Sequence, residues 1–279
     1  MIRSPLATTR PQLLLIQARS APDMEQQEQQ CFVERCRVGP NQFTLLNVAR
    51  GDVPDPAILG EIDAVLIGGA GKYSAANDYP WMDGLLTLIQ EAVAMGHPTF
   101  GSCWGHQVIA RALGGRVLHD PDLAELGCRW VELTDAGRAD PLFRCFSSRF
   151  QANMGHHDRV VDLPPGSVEL ARNEQPNQAF RLKDAPVYGT QFHSELDAKR
   201  ERERILAYRE YYKQALPDDE TVQSVINDLA ETTEVDSLLY DFLATYVAGP
   251  ARPNGSARLL APSDSITLPL SDQRRPPTA

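Results

Sequence analysis

The chain has 279 residues, 42% of them hydrophobic and 23% charged, which is enough for one large α/β domain or two small ones. Its net charge of −10 argues against a nucleic-acid backbone or an anionic membrane surface as the main partner. No apolar run approaches the roughly 20 residues of a membrane span, and no signal-like apolar core follows Met1. We therefore expect a cytoplasmic protein that binds neither nucleic acid nor a membrane.

The first half of the chain alternates strand-like and helix-like segments. The apolar run at 13–17 is typical of a buried parallel strand, and further strands are predicted at 43–48, 64–67 and 98–101. Helical periodicity predicts helices at 24–37, 81–94 and 105–113. This alternation predicts an α/β fold, a mostly parallel sheet flanked by helices, with its functional residues at the carboxyl ends of the strands.

The second half of the chain has a different pattern. Short alternating segments at 128–133, 168–171 and 179–182 predict extra antiparallel strands beside the parallel core. A strongly charged helix is predicted at 198–214, with the charged run 200–204 on its solvated face.

The remaining segments suggest how the chain is divided. We expect an N-terminal extension at 1–11 and a main α/β domain at 12–215. Amphipathic helices at 221–229 and 235–247 form a C-terminal helical appendage, 216–248, which caps the domain or serves a homodimer. The tail at 249–279 is rich in proline and cannot bury enough apolar surface to fold, so we expect it to be disordered.

Cysteine usage gives little sign of disulfides or metal. There are five cysteines, they form no C-x-x-C pair, and the odd count fits a reducing compartment better than a disulfide framework. Those other than Cys103 are Cys31, Cys36, Cys128 and Cys145. We expect neither a metal site nor a cofactor.

The stretch from Thr99 to Gln107 carries the clearest chemical signal. It has the pattern of a strand, a sharp turn and a helix, with Cys103 on the turn between small residues. Such a turn projects its side chain above the carboxyl edge of the sheet, and the helix N-terminus lowers the pKa of a thiol and can hold a developing oxyanion. Cys103 is therefore a candidate thiolate nucleophile, and the alternative is a small buried apolar residue.

A cysteine nucleophile needs a base, and the segment 187–195 supplies one. A predicted strand there ends at His193, and Glu195 lies two residues further on the same side of the chain, where its carboxylate can orient the imidazole. Cys103, His193 and Glu195 thus form a triad in the logic of the serine hydrolases. The alternative for Glu195 is that it merely begins the next helix, where the dipole favours a negative charge.

Four motifs in order resemble those of the class I glutamine amidotransferases, and most closely those of the glutaminase domain of GMP synthases. They are GGAG at 68–71, GSCWGHQ at 101–107, MGHHDRV at 154–160 and QFHSE at 191–195. The resemblance covers roughly 13–207 and implies a flavodoxin-like fold for the domain at 12–215. Ala70 and His157 stand where the family most often has proline and glycine.

The resemblance also implies roles for residues around the triad. The backbone N–H groups of Gly69 and Trp104 would form the oxyanion hole. The amino-acid end of the substrate would be held by Gly71, Gln107, His156, His157 and Asp158. For Gln107 the alternative is a polar helix residue that caps a nearby backbone group.

The implied activity is hydrolysis of the glutamine side-chain amide through a γ-glutamyl thioester on Cys103, with ammonia passing to an acceptor. No phosphate-binding Ser-Gly-Gly-Val-Asp-Ser loop follows His193, so we expect any synthase half to be a separate subunit. One alternative is hydrolysis of a γ-glutamyl peptide or related amide without ammonia transfer. Another is a non-catalytic binding or regulatory module that keeps the fold.

Overall fold

The computed structural model describes residues 10–247. The disordered tail predicted at 249–279 lies outside the described residues, as does the N-terminal extension predicted at 1–11, apart from residues 10 and 11. The strands are β1 (Leu13–Gln17), β2 (Phe43–Asn47), β3 (Ala64–Ile67), β4 (Thr99–Ser102), β5 (Arg116–His119), β6 (Glu125–Leu133), β7 (Arg149–His156), β8 (Asp158–Asp162), β9 (Ser167–Arg172), β10 (Ala179–Leu182) and β11 (Val187–Thr190).

Helices alternate with the early strands and follow the last one. They are α1 (Pro22–Cys36), α2 (Met82–Ala94), α3 (Trp104–Ala112), α4 (Asp135–Ala139), α5 (Ala198–Ala207), α6 (Asp219–Asp228) and α7 (Leu238–Tyr246). Between residues 10 and 247, none of these helices is long and apolar enough to cross a bilayer.

Nine strands form one mixed sheet in the order β2-β1-β3-β4-β11-β10-β9-β6-β7. Its first five strands are parallel, and the rest continue the sheet in antiparallel pairs. A separate antiparallel pair joins β5 and β8. The predicted α/β fold, a mostly parallel core with added antiparallel strands, is confirmed. Because β1, β3, β4 and β11 run the same way, the residues that follow them meet at one edge of the sheet.

Two apolar layers enclose the parallel strands. On one face, Leu13 and Leu15 of β1 share a core with residues of α1 and α7. On the other, Leu14 and Ile16 share a core with residues of α2 and α3. Successive residues of a strand point to opposite faces, so a strand covered on both sides has a continuous apolar sequence rather than an alternating one.

Helix α7 belongs to the main core. Phe242 is fully buried, and its ring centroid lies 5.3 Å from that of Phe100 in β4 and 5.9 Å from that of Tyr188 in β11. The segment expected as an appendage, 216–248, therefore contributes a helix that covers the centre of the sheet. Helix α6 packs instead on β6, where Val222 shares a small core with Leu126.

The charged helix is shorter than predicted. α5 ends at Ala207, and the chain continues in turns through Tyr208, Tyr211 and Tyr212 before α6. The prediction of a solvated charged face is wrong for Glu201 and Arg204, which are 1% and 4% exposed. These two residues lie one turn apart on the face of α5 that packs against the sheet edge, because residues three positions apart share a helix face.

Candidate active site

Cys103 occupies the sharp turn between β4 and α3. Its backbone has φ 52° and ψ −104°, a conformation that non-glycine residues rarely adopt and that is strained. The backbone N–H of Cys103 donates to the carbonyl of Thr190 in the neighbouring β11 at 2.8 Å, which fixes the turn to the sheet. The side chain is 7% exposed.

The glycines beside this turn allow α3 to start directly against the strands. A Cβ on Gly105 would lie 2.2 Å from the carbonyl oxygen of Ile67, and one on Gly101 would lie 2.3 Å from the carbonyl carbon of Gly105. Both neighbours are backbone atoms, so no side-chain movement could relieve the overlap. The sequence pattern of small residues around Cys103 thus reflects close packing of helix on sheet.

His193 follows the end of β11 and lines the same pocket as Cys103. Its Nδ1 lies 2.9 Å from Oε1 of Glu195, and both side chains are almost fully buried. Burial lowers the pKa of His193, but the charges of Glu195 and Glu201 outweigh it and hold that pKa well above the ordinary value. The structure therefore brings the three predicted triad residues together and favours a protonated imidazole.

Glu195 accepts from two further donors besides His193. Ser102 Oγ and Arg204 Nη1, the latter at 2.9 Å, both donate to its carboxylate. Burial raises the pKa of Glu195, but the charges of His193 and Arg204 bring it far below the ordinary range, so the group is ionised. Helix α5 starts later, at Ala198, and its cap is Asp197, which accepts from the N–H of Arg200.

A second buried ion pair lies beside the predicted triad residues. Arg19 Nη2 is 2.7 Å from Oε1 of Glu28, and the same oxygen accepts from the backbone N–H of Gly69 at 2.9 Å. Gln17 Nε2 donates to the other carboxylate oxygen of Glu28 at 2.9 Å. In this arrangement the N–H of Gly69, expected in the oxyanion hole, is engaged by Glu28.

The predicted site residues converge on one pocket at the carboxyl edge of the sheet. Glu195 lies behind His193, and the other nine line the pocket: Gly69, Gly71, Cys103, Trp104, Gln107, His156, His157, Asp158 and His193. Gly71 has φ 71°, and a Cβ there would lie 2.4 Å from the Tyr208 ring. Two requirements, a left-handed backbone and contact with an aromatic ring, therefore place glycine at this position.

Gln107 and Asp158 are hydrogen-bonded within the protein. Gln107 Nε2 donates to the backbone carbonyl of Asp158 at 2.8 Å. The carboxylate of Asp158 accepts from Ser74 Oγ at 2.7 Å and from the N–H of Ala75 at 2.6 Å, and it lies 2.7 Å from Nδ1 of His119. These bonds tie the loop after β3 to the start of β8.

The two histidines of the same corner have different environments. His156 Nδ1 lies 2.9 Å from the carbonyl of Asp158, and its Nε2 lies 3.3 Å from Glu125. The His157 ring stacks on Tyr211 with centroids 5.0 Å apart, and burial lowers the pKa of His157 to about 4. His157 is therefore neutral at pH 7 and presents an aromatic surface to the pocket.

Sequence reasoning missed several charged residues of this site. Arg19 lines the pocket from just beyond the carboxyl end of β1, so the strand-end rule could have found it. Glu201 and Arg204 also line the pocket, but nothing in their charged run distinguishes them from exposed neighbours. In the part of the chain that the structure describes, no group of three or more potential ligands could hold a metal ion.

Comparison with known proteins gives the context of this site. Residues 36–210 match the family described as glutamine amidotransferase class-I. The chain is 36% identical over 148 residues to a γ-glutamyl-L-1-hydroxyisopropylamide hydrolase from a Pseudomonas species. The aligned region covers 50% of this chain and 48% of that relative. It is 31% identical over 152 residues to one subunit of the glutamine-hydrolysing GMP synthase of Thermococcus kodakarensis. That alignment covers 54% of this chain and 78% of the subunit.

Solved structures share the fold. A glutamine amidotransferase from Thermotoga maritima superposes with a TM-score of 0.65 and 24% identity over 86% of this chain and 100% of that one. The aligned region spans about half the length of the Pseudomonas relative, whereas it spans more than two thirds of the Thermococcus subunit. Because the family match extends over more than half of this chain, the chain belongs to the class I glutamine amidotransferases.

Proposed function

We propose that this protein hydrolyses the side-chain amide of glutamine, or of a γ-glutamyl compound, through a γ-glutamyl thioester on Cys103. The observation that carries the proposal is the juxtaposition of Cys103, on a strained turn at a helix N-terminus, with a buried imidazole bound to an ionised carboxylate. This arrangement supplies a nucleophile, a general acid–base, and a carboxylate that orients the acid–base.

The first half of the reaction would form the thioester. Cys103 Sγ attacks the amide carbon, and the proton from the thiol resides on His193. The imidazolium then donates this proton to the leaving nitrogen as the C–N bond breaks, which releases ammonia or an amine. Glu195 keeps its negative charge throughout and stabilises the imidazolium.

The second half would release glutamate. Water attacks the thioester carbonyl while His193 accepts one of its protons, and the C–S bond breaks to return the cysteine. The net change is amide plus water to glutamate plus ammonia or amine, so no cofactor is required for balance.

The oxyanion of each tetrahedral intermediate needs backbone donors. We propose the N–H groups of Trp104, the first residue of α3, and Gly69 for this role. Since the N–H of Gly69 donates to Glu28 in the structure, Gly69 would exchange this carboxylate for the oxyanion during catalysis. The amino-acid end of the substrate would lie against Gly71, Gln107 and the corner formed by residues 156–158.

Two versions of this function differ in the fate of the nitrogen. In one, ammonia passes to a separate synthase subunit, which the similarity to one subunit of a GMP synthase supports. In the other, the enzyme acts alone on a γ-glutamyl amide, which the similarity to a γ-glutamyl amide hydrolase supports. All five cysteines have free thiols, which supports the expected cytoplasmic location for either version.

Steady-state assays of the purified protein would test the proposal. Glutamate and ammonia or amine release should be measured with glutamine and with γ-glutamyl alkylamides and dipeptides. Faster turnover of glutamine would favour ammonia transfer, and faster turnover of an alkylamide would favour the stand-alone hydrolase. The non-catalytic alternative would gain support if no γ-glutamyl compound released glutamate.

Changing Cys103 to Ala should abolish this turnover, because only the sulfur forms the covalent bond. We expect a loss of about 10³-fold or more, as in other nucleophile deletions. Cys145→Ala is the matched control, since that thiol is free and exposed. Retention of more than about a tenth of wild-type activity in Cys103→Ala would exclude a cysteine mechanism.

A further inference from the structure

Glu201 is a buried carboxylate with one oxygen left unsatisfied. It is 1% exposed and lines the pocket, yet its Oε2 has no hydrogen-bond partner among residues 10–247. Leaving a buried charged acceptor without a donor costs more free energy than losing an average hydrogen bond. A site that keeps such a group is therefore suited to a ligand that supplies the missing donor.

Two arginines line the same pocket and pair with other acids; Arg19 Nε and Arg204 Nη2 have no hydrogen-bond partner, but neither arginine forms an ion pair with Glu201 within residues 10–247. Arg19 pairs with Glu28 at 2.7 Å, and Arg204 donates to Glu195 at 2.9 Å. The nearest cation in contact with Glu201 is His193, whose Nε2 lies 4.0 Å from Oε2, beyond hydrogen-bonding distance. The negative charge of Glu201 is thus not matched by a direct hydrogen-bonded partner.

The position of Glu201 points to one part of the substrate. Nδ1 of His193 is taken by Glu195, so Nε2 is the nitrogen that would protonate the leaving group. Glu201 Oε2 is 4.0 Å from that Nε2. The other oxygen of Glu201, Oε1, lies beside Gly155: a Cβ built on that glycine would be 2.8 Å from it. The carbonyl oxygen of Gly155 is in turn 3.8 Å from Cys103 Sγ. A leaving nitrogen placed between Cys103 and His193 would therefore lie within reach of Glu201.

We propose that Glu201 accepts a hydrogen bond from the leaving nitrogen of the substrate, and that it thereby selects γ-glutamyl amides carrying an N–H over γ-glutamyl esters. This inference rests on the proposed function and adds to it a residue that determines specificity. A carboxylate is also the right acceptor as the nitrogen gains a proton, because its bond to a cationic donor is stronger than to a neutral one.

Turnover rates cannot isolate this role, because the cleavage of an amide depends more than that of an ester on protonation by His193. Substrate binding is therefore measured without the chemical step. In the Cys103→Ala background, the dissociation constants of L-glutamine and of L-glutamate γ-methyl ester would be measured by calorimetry. Glu201→Leu, which cannot accept a hydrogen bond, should weaken glutamine binding by about 10-fold or more and ester binding by less than about 3-fold. Glu201→Gln keeps an acceptor oxygen and should fall between.

The matched control is Glu203→Gln on the exposed face of the same helix, which should leave both dissociation constants unchanged. The ratio of the two constants within each variant does not depend on how much of the protein is folded. Equal losses for glutamine and ester, or no loss for either, would overturn the role of Glu201. A wild-type enzyme that released glutamate from no γ-glutamyl compound would overturn the proposed function and this inference with it.

Discussion

Burial and charge act in opposite directions on the ionisable groups of the site. At His193 burial lowers the pKa, yet a carboxylate 2.9 Å from one ring nitrogen and another 4.0 Å from the other raise it further than burial lowers it. At Glu195 burial raises the pKa, and the positive charges of His193 and Arg204 prevail. His193, Glu195 and Arg204 therefore form a charged network, in which each ion stabilises the next.

Replacing Glu195 with Gln should affect both catalysis and folding. We expect kcat to fall by about 10²-fold with KM nearly unchanged, less than in Cys103→Ala, because the imidazole is less well held. The melting temperature should fall as well, since Arg204 loses a buried carboxylate partner, at a cost of about 3 kcal/mol. Steady-state kinetics and thermal unfolding measure the two effects. Wild-type kcat with only a lower melting temperature would indicate a Cys103–His193 dyad.

The raised pKa of His193 predicts a pH dependence of stability. Its contribution is fully present below the unfolded value of about 6.5 and is lost as the pH rises through the higher folded value. The stability difference between wild type and His193→Gln should therefore be larger near pH 6 than near pH 9, both above the range in which Glu195 gains a proton. Urea unfolding at both pH values measures this difference. A difference that grew with pH would contradict the assignment.

At the scale of elements, the turn between β4 and α3 depends on how closely the helix approaches the sheet. The backbone N–H of Gly105 donates to the carbonyl of Gly68 at 3.0 Å, so the first turn of α3 is bonded to the residue after β3. The turn that carries Cys103 and the GGAG loop are thus held together as one unit. Strain at Cys103 is maintained by this packing.

Gly105→Ala should disrupt that unit. The added Cβ would lie 2.2 Å from the carbonyl oxygen of Ile67, so we expect a loss of about 3 kcal/mol despite the better helix propensity of alanine. Gly60→Ala is the matched control, since no atom lies within 4 Å of the Cβ position there. Chemical denaturation of both variants would compare them. Equal stabilities would show that α3 can move away from β3 without cost.

Across the whole molecule, the last described helix completes the core begun by the first strand. Residues of α7 share one apolar cluster with β1 and with β4 and β11, the two strands that Cys103 and His193 follow. Removing apolar volume from α7 should therefore reduce the stability of the entire sheet. This expectation links the C-terminal segment to the site, although no residue of α7 lines the pocket.

Phe242→Ala tests this link. The fully buried ring packs edge-on against Phe100 and Tyr188, and its loss should destabilise the fold by about 3–5 kcal/mol. Thr245→Ala, on the exposed side of the same helix, should change stability by less than about 0.5 kcal/mol. Both are measured by urea unfolding followed by fluorescence. A small effect of Phe242→Ala would indicate that the C-terminal segment folds independently of the sheet.

The class of fold and the turn that carries Cys103 could be predicted from local sequence patterns. The apolar run at 13–16 is suited to burial on both faces, and Gly101 and Gly105 on either side of Cys103 permit a helix to start directly on a strand. The motifs also indicated His193 and Glu195, because residues two apart in extended chain share a side. These are local properties, set within a few residues.

Which charges face the pocket depends on how the elements pack in three dimensions. Glu201 and Arg204 belong to a run that has the composition of a solvated helix face, and their burial depends on α5 lying across the carboxyl edge of the sheet. The bond from Gly69 to Glu28 likewise joins residues 41 positions apart. Periodicity constrains the faces of one element, whereas the partner of each face is fixed by how strands and helices pack together in three dimensions.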